Sequence, residues 1–227
     1  MSDYSAIIVT LKLALTTSII LMLLGLPLAW WLARPSHNQF KNTFRPFIEA
    51  IVALPLVLPP TVLGFYLLIA FSPNSWLGAS WFSLTGTTLA FSFSGLVIGS
   101  LIYSLPFVIQ PLQATFSAIP ESYLEVSSSL GSNKWEQFKK VILPLSKTGL
   151  ISAFSLGFAH TLGEFGVVLM IGGNIANETR VVSIAIYDHV ETLQFANAHQ
   201  LSLILIASSL ALLTLLYRFK NNRVGFN

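Results

Sequence analysis

Long apolar blocks separated by short polar segments dominate the pattern of hydrophobic and polar positions in this chain. Five blocks approach or exceed the roughly 20 residues that a helix needs to cross a bilayer. They cover 7–33, 47–71, 87–111, 145–171 and 197–217. The pattern predicts an all-α integral membrane protein with about five transmembrane helices. Because no polar stretch is long enough for a second domain, we expect one membrane domain, 1–227.

The polar segments between the blocks differ in charge, and this difference predicts the orientation of the chain. Three segments are rich in Lys and Arg: 34–45, 134–147 and 218–223. The segment 72–86 carries no charge, and 172–196 is acidic. Cytoplasmic loops of membrane proteins carry an excess of basic residues. The N-terminus is therefore expected outside and the C-terminus inside, with 178–192 forming a short interfacial or re-entrant helix on the outer side.

Composition agrees with lipid as the main solvent. The chain has 227 residues, of which 54% are hydrophobic and 9% charged, against roughly 25% charged in a soluble domain. The formal charge of +3 is scattered between apolar blocks, so nucleic acid is not an expected partner. Without cysteine the chain has no disulfide or thiolate metal site. Met1 to Val9 holds no cation, so we expect the first block to be retained rather than cleaved as a signal peptide.

Three prolines interrupt the second apolar block. Pro55, Pro59 and Pro60 each remove a backbone donor and cost roughly 3 kcal/mol in a helix interior. A straight helix is not expected there. Either neighbouring helices stabilise a kink, or the helix is broken beside a translocation path, where irregular backbone is tolerated. The three prolines and Thr61 are therefore candidate pathway or gate residues.

The fourth apolar block contains a strip of small residues and a cluster of ionisable ones. Small side chains recur every four residues, which favours close packing of another helix: Gly149, Ala153, Gly157 and Thr161. Near the outer end come His160, Gly163 and Glu164, and ionisable groups at this depth are costly. We expect Glu164 to be hydrogen-bonded within the protein, and with Gly163 it is a gate candidate. His160 has no partner at metal-ligand spacing and is expected to be a packing histidine.

The segment 120–144 predicts a compact element of two short helices. Pro120 and the acids after it favour a helix that Gly131 can end in a left-handed conformation. Ser132 can cap a second helix, with aromatic and aliphatic side chains on one face: Trp135, Phe138 and Ile142. Taken from spacing alone, an amphipathic linker on the membrane surface is an equally good interpretation.

The same segment resembles the cytoplasmic EAA loop of bacterial ABC importer permeases. In that loop Glu-Ala-Ala is followed by Gly, a nine-residue gap, Ile, one residue, and Leu-Pro. The matching positions are Glu125, Gly131, Leu143 and Pro144. Val141 holds the isoleucine position, while Val126 and Ser127 replace the alanines. The resemblance implies that these residues and Trp135 couple the membrane domain to an ATPase.

Four further segments extend the resemblance to the ModB family of molybdate permeases over nearly the whole chain: 54–66, 103–107, 163–166 and 179–187. It implies a type I, MetI-like permease in the bacterial cytoplasmic (inner) membrane, acting as a homodimer with one central pathway. It also implies two ATP-binding cassette subunits (ModC-like) and a periplasmic or extracellular molybdate-binding protein (ModA-like). Tungstate and sulfate or thiosulfate permeases are similar, so these substrates remain alternatives.

No nucleotide-binding loop of the form Gly-x-x-x-x-Gly-Lys-Ser/Thr occurs in the chain. We therefore expect no enzymatic activity and no cofactor here, with ATP and magnesium on the partner subunit. Two other classes stay open: an ion-coupled secondary transporter, although these usually show repeats and paired charges, and a membrane enzyme using His160 and Glu164 from one helical face. For the loop, we expect Gly131→Val to impair coupling and Gly78→Val, in the uncharged loop, to matter much less.

Overall fold

The computed structural model describes residues 3–34 and 39–221, which form helices and turns without a β-strand. The helices are α1 (Asp3–Ala33), α2 (Gln39–Val57), α3 (Pro60–Phe71), α4 (Trp76–Thr85), α5 (Phe93–Ser117), α6 (Glu121–Ser129), α7 (Lys134–Gln137, continued by a π-helical turn, Phe138–Ile142), α8 (Leu143–Leu145), α9 (Lys147–Gly163), α10 (Gly166–Gly172), α11 (Val182–Glu191) and α12 (Phe195–Asn221). Arg223, one of the basic residues expected in the cytoplasm, lies outside the described residues.

The helices account for the predicted number of spans. Within the described residues, α1, α5 and α12 are long and apolar enough to cross a membrane unbroken. Two bent pairs bring the number to five: α2 with α3, at 111°, and the segment 134–145 with α9, at 76°. The third span begins later than predicted because Ser92 caps α5, accepting a hydrogen bond from the Gly95 N–H at 3.2 Å. The fourth ends at Gly163, and α10 follows a break that the apolar pattern did not indicate.

The proline-rich stretch prevents a straight helix, as predicted, and of the two alternatives the structure shows a broken helix rather than a kink. Helix α2 ends at Val57, Pro59 takes an extended conformation, and Pro60 begins α3. Proline is well tolerated at the first position of a helix, where its missing N–H would be unpaired anyway. Pro55 stays inside α2. The bend therefore comes from Pro59 and Pro60.

The small-residue strip brings α9 against α5. A Cβ atom on Gly149 would overlap the Thr115 side chain, and one on Gly157 would lie 2.5 Å from Val108 Cγ2. Ala153 is fully buried on the same face. Small residues let helix backbones approach closely in membranes, where packing rather than water exclusion drives association. The predicted packing face is confirmed.

Basic side chains tie three helices together at one end of the molecule. The Arg34 guanidinium donates to the carbonyl oxygens of Phe116, at 3.1 Å, and Ile119, at 2.9 Å, capping the end of α5. Arg45 donates to the carbonyl oxygens of Trp31, at 2.9 Å, and of Arg34. The ends of α1 and α5 and the start of α2 are thus joined where the basic segments collect.

The acidic segment lies at the opposite end. Asp3 at the start of α1 is hydrogen-bonded to His189 at 3.0 Å, and Arg180 pairs with Asp188 at 3.0 Å. Helix α11 lies here and is too short, at 10 residues, to cross a membrane. This agrees with the predicted outer interfacial helix, although it begins at Val182 rather than 178. Separation of basic and acidic ends is what the predicted orientation requires.

The uncharged segment 72–86 is more ordered than a loop, and this overturns one expectation. It contains α4, and Gly78 is buried in that helix. A Cβ atom there would overlap the carbonyl oxygen of Ser72. The expectation that Gly78→Val is tolerated is therefore wrong. Gly86, with a φ of +70° and no atom near its would-be Cβ, is the better control for a glycine in a left-handed turn.

The α5–α9 contact yields a stability prediction. Gly149→Val should lower the melting temperature of the detergent-purified chain by several degrees, because overpacking costs about 1–3 kcal/mol. Gly163→Val on the same helix should stay near the wild-type value, since its Cβ would meet no atom within 4 Å. The measurement is the fraction of folded protein after heating to a series of temperatures, determined by size-exclusion chromatography. Equal melting temperatures for the two variants would contradict close packing of α9 on α5.

Candidate functional site

The break in the second span, at Leu58–Pro59, lies against the break that follows the fourth span, at Glu164–Phe165. Helix α9 ends at Gly163, Glu164 takes an extended conformation with φ −65° and ψ 131°, and α10 begins at Gly166. A Cβ atom on Gly166 would lie 2.7 Å from Pro60 Cβ, the first residue of α3. Irregular backbone is stable at membrane depth only where protein or a cavity satisfies it. Each break therefore helps to bury the other.

A cavity of about 640 Å³ opens at the two breaks. Residues of α3, α5, α9 and the Glu164 break line it: Pro60, Thr61, Tyr103, Ala159, His160, Gly163, Glu164, Phe165 and Gly166. Four of the six predicted pathway or gate candidates thus lie in one cavity, although they come from two distant parts of the sequence. Pro55 is buried within α2, and Pro59 precedes the lining residues. A pathway role for any of the six stays a prediction.

Glu164 is turned into the protein. Its side chain is 4% exposed, and Oε2 accepts a hydrogen bond from Ser100 Oγ at 2.8 Å. The Glu164 carbonyl oxygen accepts from Ser183 Oγ at 2.6 Å. Among the described residues, Oε1 has no hydrogen-bond partner. The carboxyl group therefore joins the break to α5 and the backbone joins it to α11, so Glu164 is hydrogen-bonded within the protein as expected, while a gating role stays a prediction.

His160 is held by stacking and by hydroxyl groups. Its ring stacks on Phe107 with centroids 3.8 Å apart, and Nδ1 lies 2.9 Å from Ser104 Oγ. Ser104 also contacts Thr161 Oγ1 at 3.0 Å. This is the environment of a packing histidine. Because α9 ends before Glu164, the helical face that the membrane-enzyme alternative placed under both residues is not formed.

Sequence reasoning missed the side chains that α5 contributes. Ser100, Ser104 and Phe107 are spaced four and three residues apart, so they share a helical face toward α9 and the break. That spacing was the available signal, but serines in an apolar helix are common. Phe107 also lines a second cavity of about 380 Å³, together with Gln110 and Pro111 farther along α5. The Phe107–His160 stack thus lies between the two cavities.

Another missed contact joins α2 to α5. Gln113 Nε2 donates to Glu49 Oε1 at 2.7 Å. Gln113 lies near the basic end of α5, next to Ala114 of the second cavity. The contact holds α2, the first part of the broken second span, against α5.

The segment 120–144 forms the predicted pair of short helices. Helix α6 is followed by Gly131 with a φ of +83°, so the left-handed turn is confirmed. Ser132 does not cap α7; this expectation is wrong, because Asn133 Oδ1 accepts from the N–H groups of Trp135 and Glu136 at 3.0 and 2.9 Å. The Glu136 side chain accepts in return from the Asn133 N–H, completing a capping box.

The expected common face of the second helix is divided between two environments. Phe138 packs on Trp30 and Phe116, with centroids 6.2 and 6.5 Å apart, and Ile142 is fully buried. Trp135 stacks on Phe138 but is 63% exposed. The π-helical turn rotates the later side chains inward, so two of the three anchor the loop and one faces out.

The remaining coupling candidates lie at the two ends of this loop. Glu125 is exposed on α6, and Leu143 and Pro144 begin α8 next to the 76° bend into α9. The loop therefore leads directly into α9, which lines the cavity, and a coupling role for these residues stays a prediction.

Comparison with known proteins gives a consistent result. The family model of the binding-protein-dependent transport system inner membrane component matches residues 25–223. The chain is 49% identical to the molybdenum transport system permease protein ModB of Azotobacter vinelandii, covering 99% of this chain and 97% of that protein. It is 33% identical to the sulfate transport system permease protein CysT of Escherichia coli K12, covering 96% and 78%. A structure of the MetNI methionine ABC transporter in an inward-facing conformation has a TM-score of 0.74 at 16% identity, covering 96% of this chain and 97% of that one. The chain belongs to the inner membrane components of binding-protein-dependent transport systems.

Proposed function

We propose that this chain is the permease subunit of an ATP-driven importer that carries molybdate, and tungstate as its close analogue, across the cytoplasmic membrane. It works as a homodimer with two ATP-binding cassette subunits and an external oxyanion-binding protein. The observation that carries the proposal is the higher identity to a molybdenum permease than to a sulfate permease over nearly the whole chain. The geometry of the breaks and of the 120–144 loop supports it.

The cavity at the breaks suits an anion that must be released as readily as it is taken up. Its lining offers the Thr61 hydroxyl, the Tyr103 hydroxyl and backbone groups of the breaks, and includes no lysine or arginine. A dianion held by fixed cations would dissociate slowly. Glu164 is part of the lining, but its side chain is 4% exposed and Oε2 accepts from Ser100 Oγ, so little of the carboxyl group faces the anion. Selectivity then rests largely on the binding protein.

The 120–144 loop supplies a surface for the ATP-binding subunit. Tyr123, Val126, Leu130 and Trp135 are 53%, 60%, 81% and 63% exposed at the basic end. Exposed apolar patches of this kind mark protein contacts. Gln137 Nε2 donates to Ser128 Oγ at 2.6 Å, so α6 and α7 move as one body. Phe138 and Ile142 then carry that movement to α1, α5 and α9.

Competition between oxyanions for uptake tests which substrate the importer carries. In proteoliposomes with the cognate ATP-binding subunit and binding protein, uptake of labelled molybdate should be strongly reduced by a tenfold excess of tungstate and little changed by sulfate. Sulfate is the second candidate because of the similarity to the Escherichia coli permease. If sulfate competes as well as molybdate, the substrate assignment is wrong while the permease assignment stands. If no uptake depends on ATP, the permease assignment fails.

A substitution at Gly131 tests the coupling role of the 120–144 loop. A valine at a φ of +83° is strained by about 1–3 kcal/mol, which would reorient α6 relative to α7. Gly131→Val should insert in the membrane yet retain little of the ATP-binding subunit on co-purification, and transport should fall at least tenfold.

Gly86→Val is the matched control for Gly131→Val. Both glycines have a left-handed φ and open space around the would-be Cβ, but Gly86 lies in the opposite loop. It bears the same backbone strain without the coupling role, so its uptake should stay within about twofold of wild type. Full recruitment and normal uptake by Gly131→Val would remove this loop from the mechanism.

Matched substitutions at Glu164 and Glu121 test whether the buried carboxyl group of Glu164 depends on its hydrogen-bond partner. Glu164→Gln keeps the shape of the side chain but replaces one buried oxygen with an NH2 group and turns the acceptor of the Ser100 bond from a carboxyl into an amide oxygen; losing a hydrogen bond at a buried site costs about 1–3 kcal/mol. Transport or the yield of folded protein should fall several-fold. Glu121→Gln, on the exposed first turn of α6, should behave like wild type. Equal tolerance of both, measured by fluorescence-detected chromatography and uptake, would refute the buried-partner argument.

A further inference from the structure

A groove of about 540 Å³ lies between α1 and the second helix of the cytoplasmic loop. The α1 side is apolar over about 10 Å, from Leu23 to Trp30, at 1.5 Å per residue. The loop side contributes Lys134, Trp135 and the edge of Phe138. The pathway described above does not use this groove, and of the surface proposed for the ATP-binding subunit only Trp135 lines it. It begins within a turn of the basic end of α1 and runs toward the middle of the membrane.

The groove has one apolar half and one basic half. Leu23 is 68% exposed, and the adjoining Leu24 is 64% exposed, so the α1 side opens onto the hydrocarbon. At the other end, the segment 134–140 carries three lysines and one glutamate, a net charge of +2. The glutamate, Glu136, already pairs with Lys140 at 3.0 Å. This leaves Lys134 on the groove itself and Lys139 directly beside it.

The aromatic side chains place the basic half at the membrane interface. Tryptophan and lysine together favour the headgroup region, where a ring can face the acyl chains while the ammonium group stays hydrated. Lys139 Nζ lies 4.9 Å from the centre of the Trp135 ring, and that ring stacks on Phe138. Trp30, on the α1 side, makes an edge contact with Phe138. These aromatic side chains therefore lie between the Lys139 ammonium group and the apolar half of the groove.

We propose that this groove binds an anionic phospholipid, with its phosphate at Lys134 and Lys139 and one acyl chain along Leu23, Pro27 and Trp30. Charge complementarity favours this occupant, because basic pockets at the cytoplasmic side of transmembrane helices attract anionic headgroups. The residues lining the groove include no carboxylate that would repel a phosphate. A lipid in this position bridges α1 and the loop segment whose Phe138 anchors α6 and α7. It would therefore brace the loop against the membrane domain.

The absence of cysteine from the chain permits a site-specific test. Leu24→Cys places a bimane fluorophore beside the groove without filling it. Ile206→Cys on α12, where Ile206 is 63% exposed, reports an ordinary lipid-facing position. Each labelled full-length chain is reconstituted in nanodiscs of phosphatidylcholine with a fixed fraction of brominated lipid, either phosphatidylglycerol or phosphatidylcholine. Quenching by each brominated lipid is then compared.

We expect brominated phosphatidylglycerol to quench the label at position 24 at least twofold more than brominated phosphatidylcholine does. The label at position 206 should be quenched equally by the two lipids. Lys134→Ala with Lys139→Ala should abolish the difference at position 24, whereas Lys147→Ala, which changes a lysine outside the groove at the same end, should preserve it. Leu23→Trp, which fills the apolar half while leaving both lysines, should also abolish it.

Three results would overturn the proposal. Equal quenching at position 24 by the two lipids would show no anionic site. A preference that survives Leu23→Trp would reduce the effect to surface charge without a groove. Loss of quenching by both lipids at position 24, with normal quenching at position 206, would mean that protein, such as a second copy of the chain, covers this face. Each variant is first checked by size-exclusion chromatography. If all variants elute at the wild-type volume, misfolding does not cause the differences in quenching.

Discussion

A backbone N–H or C=O group in the hydrocarbon core has no water to bond, so a helix can be interrupted there only where other parts of the protein satisfy or shield the gap. The second span of this chain is interrupted at Leu58–Pro59 and the fourth is followed by a break at Glu164–Phe165, and the helices after these breaks, α3 and α10, pack together at Pro60 and Gly166. The cavity lies at this meeting point, so the irregular backbone is buried in protein or lines the cavity.

Around the breaks the structure divides into a close-packed part and a connecting part. Helices α5 and α9 approach closely through Gly149 and Gly157, α1 approaches α5 through Gly25, and Arg34 caps α5 at its basic end. The loop helices α6 and α7 are linked to this body through the Phe138 and Ile142 side chains. In the proposed function, this link carries movement from the exposed surface of α6 to the base of α9.

The features predictable from sequence are those with a local cause. The adjacent prolines Pro59 and Pro60 break a helix, a glycine followed by a new helix indicates a left-handed turn, and a four-residue period of small side chains predicts close packing. The features missed depend on tertiary contacts. The break at Glu164 is stabilised by Ser100 and Ser183 from distant helices, and the burial of Gly78 follows from how α4 folds back on the end of α3. The choice of Asn133 over Ser132 as cap depends on one residue of register, which spacing rules do not resolve.

The central claim is that substrate passes through the cavity between the two breaks. Thr61→Cys in this cysteine-free chain gives one reactive group on the lining, and Thr87→Cys gives a matched exposed position outside it. Both are treated with a sulfonate-bearing methanethiosulfonate reagent in the reconstituted importer, and ATP-dependent molybdate uptake is measured. The account predicts that labelling at position 61 abolishes uptake and that labelling at position 87 leaves it unchanged. Complete labelling at position 61 with normal uptake would contradict it.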